Sequence, residues 1–279
     1  LKIGSVLIGK KYAAKVMGII NVSPESFYKD SVKTGETEIA AAAKQMEKIG
    51  AHIIDIGAMS TAPYLETVIT VNEEIRRMKQ AIKTVKNACG MPISADTPRA
   101  RVAEEAIAAG ADTINDVTGL KYDSKMANIV ANAGVPVIAG AYSKRTATGK
   151  IPGTLKALKE SLAIAKKAKI VNVIVDPSIG FFREAGKNPF FTRMTDVPWY
   201  TRDIEVLYNL EKIAELSPVC VSVSRKSFIG HLFNIQAEAR LIPSIICEAV
   251  AVLNGASIVR THSVRETANA LMMLQLLKP

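Results

Sequence analysis

Polar residues recur where short apolar runs of this chain come to an end. Asn21, Asp55, Asp96, Asn115, Asp116, Asp176, the run Ser224-Arg225-Lys226, and Arg260 with His262 all stand at or near the C-terminal limit of such a run. Asp96, Asn115, Asp176 and Lys226 together offer hydrogen-bond donors and acceptors. That mixture suits a planar, nitrogen-rich heterocycle with both kinds of edge. Arg260 and His262 are two residues apart, so on an extended strand their side chains point the same way and can grip one anion. Asn21 adds a neutral oxygen suited to a divalent ion carried by that anion, and Ser227 opens a helical pattern whose N–H groups favour negative charge. So many polar groups converging on one place would be costly to bury without a polar ligand. No Ser or Cys nucleophile with a partnering base is visible in the pattern.

The elements that must position these residues are legible as alternating patterns. Strand-like runs cover Ala14–Asn21, His52–Gly57, Pro92–Thr97, Thr113–Val117, Pro136–Gly140, Asn172–Pro177, Val219–Ser224 and Ser257–His262. Most are continuously apolar, the signature of parallel strands buried on both faces. Helical spacing lies between them: Ile39, Ala42, Met46 and Ile49, then Ile75, Met78, Ile82 and Val85 after a cap at Thr70 and Glu73. Further helices are expected over Arg99–Ala109, Ser124–Ala133, Thr154–Ala168, Arg202–Leu216, Ala237–Asn254 and Val264–Leu277. Gly50-Ala51-His52-Ile53-Ile54, Gly110-Ala111-Asp112-Thr113-Ile114 and Gly255-Ala256-Ser257-Ile258-Val259 repeat one pattern, a helix stopped by Gly before an apolar strand. Eight such units without a break in composition predict an α/β fold, a closed (β/α)8 TIM barrel, as one domain over residues 1–279. A doubly wound open sheet is the alternative. Residues 1–13 are expected to form a short strand or hairpin at the barrel bottom. From Ser178 to about Thr201 no helix is evident, and a connection of that length is usually functional.

Composition narrows the class. The 279 residues are 48% hydrophobic but only 5% aromatic, so aliphatic side chains must build the core, and global disorder is excluded. Lys and Arg exceed Asp and Glu by 36 to 26, a net +10 that suits anionic small molecules. The basic residues are scattered and no nucleic-acid-reading module is present, so a nucleic-acid partner is not expected. Cys89, Cys220 and Cys247 form no C-x-x-C pair, which fits buried thiols in a cytoplasmic, reducing compartment. The longest apolar run, Ile242 to Val259, is broken by Glu248, Asn254 and Gly255 and reads as a buried helix plus a strand, with no membrane partner.

Seven ordered motifs resemble those of the dihydropteroate synthase family. They are Met17-Gly18-Ile19-Ile20-Asn21-Val22-Ser23-Pro24-Glu25-Ser26-Phe27, Asp55-Ile56-Gly57-Ala58-Met59-Ser60-Thr61-Ala62-Pro63, Ser94-Ala95-Asp96-Thr97, Ile114-Asn115-Asp116-Val117-Thr118-Gly119, Asp176-Pro177-Ser178-Ile179-Gly180-Phe181, Ser224-Arg225-Lys226-Ser227-Phe228-Ile229-Gly230 and Val259-Arg260-Thr261-His262. The resemblance spans about residues 14 to 275. It implies a transferase that joins 6-hydroxymethyl-7,8-dihydropterin diphosphate to an arylamine and releases pyrophosphate. It further implies that Asp96, Asn115, Asp176 and Lys226 hold the pterin, and that Asn21, Arg260 and His262 hold the diphosphate. Thr61, Pro63 and Ser227 would then meet the arylamine. Mg²⁺ is the implied cofactor, with Asn21 as its protein ligand, and a homodimer through the last helices is the implied assembly. Asp96, Lys226 and Asn21 are the implied catalytic residues.

The departures are specific. Met59 and Ala62 stand where the family's second signature usually has Glu and Arg, leaving one cation fewer for the diphosphate. The first loop continues Tyr28-Lys29-Asp30-Ser31, and Ala141-Tyr142-Ser143-Lys144-Arg145 follows the fifth strand. Ser23–Lys29 and Asp176–Gly180 resemble the archaeal branch, whose acceptor is 4-(β-D-ribofuranosyl)aminobenzene 5′-phosphate. On that reading some of Lys29, Lys144, Arg145, Arg183, Lys187 and Arg193 would bind the second phosphate. Two alternatives share the barrel: a methyltransferase passing a methyl from a tetrahydropterin to a corrinoid, and a pterin-binding protein without chemistry. The methyltransferase would have no use for the Ser-Arg-Lys-Ser and Arg-x-His grip.

Overall fold

The computed structural model describes residues 1–24 and 32–277. Eight parallel strands close into a barrel in the order β3 (Lys15–Asn21), β4 (Ile53–Gly57), β5 (Ile93–Asp96), β6 (Thr113–Asp116), β7 (Val137–Gly140), β8 (Val173–Asp176), β11 (Val219–Val221) and β12 (Ala256–Thr261). All eight expected strands are therefore present, and the open-sheet alternative falls away. An antiparallel hairpin of β1 (Lys2–Ile3) and β2 (Val6–Leu7) precedes them. Its Ile3 and the following Ile8 pack into the barrel floor with Met17, Ile53, Ile138, Ile174, Cys220 and Ile258.

That floor explains how an apolar run can deliver a charged site. Successive side chains on a strand face opposite sides, so the residue two beyond an inward one also faces inward. Two residues above Ile53, Ile174 and Ile258 come Asp55, Asp176 and Arg260, while Ser222 stands above Cys220. Ile54, Ile56, Ile114, Val137 and Val173 have the opposite parity and pack outward with helix side chains such as Ile39, Met78 and Ile82. Both faces of each strand are buried, and Asp55, Asp176 and Arg260 stand on the inner face above its apolar floor. The same parity turns Asp116 away from the interior. Its carboxylate accepts from the Thr118 N–H (2.8 Å) and the Leu120 N–H (2.7 Å), fixing the next turn rather than entering a site.

The helices α1 (Glu36–Lys48), α2 (Val71–Ala88), α3 (Ala100–Ala109), α4 (Met126–Ala133) and α5 (Ile151–Lys167) follow the first five barrel strands. Thr70 caps α2 by accepting from the Glu73 N–H at 3.2 Å. The expected single helix over 202–216 is two, α6 (Trp199–Tyr208) and α7 (Leu210–Ala214), which meet at Asn209. The short α8 (Ser227–Phe233) begins where Ser227 was expected to open a helical pattern. The pattern over 237–254 resolves into a 3-10 turn at Ala237–Arg240 and then α9 (Leu241–Leu253), followed after β12 by α10 (Val264–Leu277). The expectation that α9 is buried is corrected: Ile242, Ile246, Val250 and Leu253 form an exposed stripe at helical spacing.

The long connection after β8 is built rather than loose. A parallel pair of short strands, β9 (Phe182–Arg183) and β10 (Thr192–Arg193), folds it onto the barrel top, and α6 begins at Trp199, inside the segment expected to lack a helix. Arg202 is fully buried beneath it. Its guanidinium pairs with Asp203 (3.1 Å), donates to the carbonyls of Pro177 (2.6 Å) and Ser178 (3.1 Å), and stacks on Phe182. Ser178 is thereby held at φ 54, a left-handed conformation that a non-glycine residue adopts only under constraint. Arg202→Met removes the cation and leaves Asp203 buried and unpaired. Urea denaturation is expected to show a loss of about 3–5 kcal/mol.

Candidate functional site

The barrel mouth holds two adjoining cavities. The deeper is lined by Asp96, Asn115, Asp176, Phe181, Ser222, Lys226 and Arg260 among others. The outer cleft adds Asn21, Gly57, the Met59–Tyr64 loop, Ser227 and His262. Asn21, Thr61, Pro63, Asp96, Asn115, Asp176, Lys226, Ser227, Arg260 and His262 each line one cavity or both, whereas Asp55, Asp116, Ser224 and Arg225, also read at strand ends, line neither. Ser222, Phe181 and Tyr64 were missed. The strand parity would have revealed Ser222, whereas the two aromatics arrive from loops.

Arg260 spans the floor between the two cavities. Its Nε donates to Asp55 Oδ2 at 2.6 Å and its Nη2 to Asp96 Oδ2 at 2.9 Å. Asn115 Nδ2 also faces Asp55, at 3.4 Å. Asp55 is fully buried, so its role is to hold Arg260 and Asn115 rather than to meet a ligand. Burial pushes the Asp96 carboxyl up to about 7, against the pull of Arg260 and with a further push from Asp55 and Glu74. Burial alone would lower the Arg260 guanidinium, but Asp55 and Asp96 outweigh it and keep the group charged. Lys226 is lowered to about 8 by burial and by Arg260. Burial raises Asp176, whose Oδ1 already accepts the Ser178 N–H at 2.6 Å. His262 is held neutral, well below its ordinary value, by burial and by the neighbouring Arg260, Lys226 and Arg225.

Local backbone features place these side chains. Gly57 leaves space for the Asn21 amide, because a Cβ there would stand 3.0 Å from Asn21 Oδ1. Gly180 has φ +88, and a Cβ would crowd the Lys226 methylenes at 3.2 Å. Lys226 Nζ lies 4.6 Å from the centre of the Phe181 ring. Arg225, beside Lys226 in sequence, points away and binds the carbonyls of Ala237 and Glu238, each at 2.8 Å. Ser227 does open α8, but that helix has only seven residues.

The loop carrying Met59 and Ala62 is clamped by the long segment. Asn188 Nδ2 donates to Ala62 O at 2.7 Å and lies 3.3–3.4 Å from Leu65 O and Thr61 O, while the Lys187 N–H donates to Pro63 O at 2.7 Å. Met59 is buried against the cleft. Among the described cations expected to gather for a second phosphate, Arg183 is the one whose side chain hydrogen-bonds a cleft residue, donating to Ser227 Oγ at 2.7 Å. Lys144 and Arg145 line a separate groove, beside Lys121 and Lys156. Arg193 and Lys187 are exposed, and Lys29 lies outside the described residues, as do Glu25–Asp30 of the first signature and its continuation.

Taken together, the barrel and its ringed mouth define a pterin-binding type of site. A profile described as "Pterin binding enzyme" matches residues 17–262. The dihydropteroate synthase of Clostridium beijerinckii is 36% identical, with 99% of each chain covered. The solved dihydropteroate synthase of Clostridium difficile, in the presence of pteroic acid, superposes with a TM-score of 0.81 at 31% identity, covering 97% of this chain and 98% of that one. That of Xanthomonas albilineans, with 4-aminobenzoic acid, gives 0.80 at 28% identity over 96% and 94%. The chain belongs to the pterin-binding enzymes, and among them to the dihydropteroate synthase family of transferases. These three relatives are bacterial, so the likeness to the archaeal branch finds no counterpart among them.

Behind the cleft a buried network supports the end of β12. The Thr267 hydroxyl bridges Glu248 Oε2 (2.6 Å) and Thr261 Oγ1 (3.0 Å), and Ser224 Oγ accepts the His262 N–H at 3.2 Å. Burial pushes the Glu248 carboxyl up to about 7 from its ordinary 4.5. Between those values the folded protein keeps a proton that the unfolded chain has shed, so stability falls as pH rises. Over the window this amounts to about 3 kcal/mol. Glu248→Gln keeps the acceptor for Thr267 and cannot titrate. Denaturation at pH 4.5 and 7.5 is expected to show a smaller fall in stability for the variant by about that amount.

Proposed function

We propose that this protein condenses 6-hydroxymethyl-7,8-dihydropterin diphosphate with 4-aminobenzoate and releases pyrophosphate. The observation that carries the reading is a deep pocket holding Asn115 and Asp176 that shares Asp96, Lys226 and Arg260 with an outer cleft holding Asn21 and His262. In this reading the deep pocket takes the pterin ring, whose donor and acceptor edges match the carboxylates, the amide and the ammonium. The diphosphate lies against Arg260, His262 and Asn21. Thr61, Pro63 and Ser227 face the arylamine.

The bond between the methylene carbon and the diphosphate oxygen breaks, and its electron pair leaves on pyrophosphate. The amine lone pair forms the new carbon–nitrogen bond, and the nitrogen gives one proton to water. Positive charge develops on the pterin as the leaving group departs. Ionised Asp96 stabilises it at short range, inside a pocket where water does not screen. Arg260 links the two halves, because one guanidinium touches Asp96 and also lines the diphosphate cleft.

Mg²⁺ is part of the proposal. Among the described residues no cluster of three His, Cys, Asp or Glu is present, so the protein offers no closed cage. Asn21 at the cleft fits an ion held mainly by diphosphate and water oxygens. Such an ion would supply charge neutralisation to the departing diphosphate.

The assembly and location are proposed as a cytoplasmic homodimer working as one domain per chain. The stripe Ile242, Ile246, Val250 and Leu253 on α9 and the exposed Met272 and Leu276 on α10 support the pairing, since α9 and α10 pack side by side. Among the described residues no helix is long and apolar enough to cross a membrane, and all three cysteines are free thiols. The ribosylated aminobenzene phosphate of the archaeal branch is a less favoured acceptor, because the cations it would need are dispersed.

Purified protein mixed with the pterin diphosphate, magnesium and each arylamine is expected to release pyrophosphate and form dihydropteroate with 4-aminobenzoate. Turnover solely with the ribosylated phosphate would replace the acceptor. Binding of the pterin without turnover would make it a binding protein. Asp96→Asn is expected to fold normally and to lower kcat at least about 10²-fold. In the wild type kcat/KM should fall below pH of about 7, as Asp96 takes up its proton. Ile246→Glu is expected to halve the sedimenting mass.

A further inference from the structure

Arg183 lies in the segment between β8 and α6, and only 7% of its surface is exposed. Its guanidinium stacks on the Trp199 ring, 3.6 Å from the centroid, and Nη2 donates to Ser227 Oγ at 2.7 Å. Nη1 is buried with no hydrogen-bond partner among the described residues, and no carboxylate lies within 4 Å of the group there. A buried cation left this way is costly unless something negative arrives. Stacking on Trp199 offsets part of the cost.

The hydrogen bond to Ser227 sets a direction. Ser227 Oγ accepts from Arg183, so the single O–H of that serine is free to donate elsewhere, and the residue lines the outer cleft beside Thr61, Pro63 and Tyr64. The facing loop carries the uncharged Ala62 at its turn, and Lys187 and Arg193 are exposed. At the acceptor end of the cleft, where Lys226 also lines the wall and Arg240 acts on Tyr64, Arg183 is the buried cation placed directly behind a hydroxyl donor. We propose that Arg183 is the specificity-determining residue of the acceptor subsite, which orients Ser227 and makes the cleft select an arylamine bearing an anionic group over its neutral counterpart. The assignment rests on the reaction proposed above. It is a positioning role: Ser227 meets the carboxylate, and Arg183 acts through it.

The test compares 4-aminobenzoate with the neutral 4-aminobenzamide in the wild type, Arg183→Gln and Arg183→Lys. Arg183→Gln is expected to raise KM for the acid about 10- to 100-fold, the worth of one charge-assisted hydrogen bond. The values for the amide and for the pterin diphosphate should stay within about twofold, a split that a general loss of structure would not produce. Arg183→Lys should recover part of the preference for the acid. Equal losses for acid and amide, or an unchanged KM for the acid, would overturn the assignment. If Arg183→Gln fails to fold by circular dichroism, Ser227→Ala in the intact background decides: it should erase most of the acid preference, and a retained preference counts against the proposal. If the wild type turns over neither arylamine, the proposed reaction fails. Titration calorimetry with pterin and pyrophosphate present then tests Arg183 directly. Tighter binding of the acid in the wild type that is lost in Arg183→Gln and partly kept in Arg183→Lys supports it, and no preference in the wild type, or an undiminished one in Arg183→Gln, refutes it.

Discussion

Two carboxylates share one guanidinium at the centre of this barrel, and the rest of the mouth is arranged around that fact. Asp55 is wholly buried and the Asp96 side chain is 17% exposed, and Arg260 bridges the two at 2.6 and 2.9 Å. The pairing makes Arg260 a fixed part of the floor rather than a mobile surface cation. It also leaves Asp96 only partly compensated, so that burial still holds its carboxyl up to about 7. A group poised there can change charge at little cost when a ligand replaces the missing water. Lys226, lowered to about 8 by the same burial, is poised from the other side.

Around that floor, the upper rim is held by residues that never face a ligand. Asp116, Arg202, Arg225 and Asn188 spend their polar atoms on backbone carbonyls and amides of the loops that carry the site. Each sits beside a cleft residue in sequence or packs against its loop. The strained φ of Ser178 and of Arg225 is the visible trace of this over-determination. The second-signature loop, although it lacks the usual Glu and Arg, is tied down through its own carbonyls by the Lys187 N–H and Asn188. The long segment after β8 thus does for this rim what charged side chains in the loop itself do not.

Much of this was legible beforehand. Burial on both faces makes most barrel strands continuous apolar runs, so all eight could be counted, and Gly50, Gly110 and Gly255 marked the starts of three of them. The polar residues closing those runs, Asp96, Asn115, Asp176, Lys226, Arg260 and His262, were identifiable for the same reason: nothing else interrupts an apolar strand at its end. What misled the reading was local. A 3-10 turn and a helix break at Asn209 leave no mark in hydrophobic periodicity, and α9 looks buried because its outer stripe is as apolar as its inner one.

The sequence by itself determined the strand count, the ring of polar termini and the family. Those depend on alternation and spacing along the chain, which short-range sterics enforce. The tertiary structure decided which polar termini work together and which are spent on loops. Asp116 and Asp96 look alike in sequence, yet strand parity sends one outward and the other to Arg260, which stands 164 residues away. It also decided that, of six scattered cations, Arg183 comes to lie behind Ser227 while Lys144 and Arg145 line a different groove. Such pairings are set by the closure of the barrel and the folding of a long loop across its mouth, and no local property of the chain encodes them.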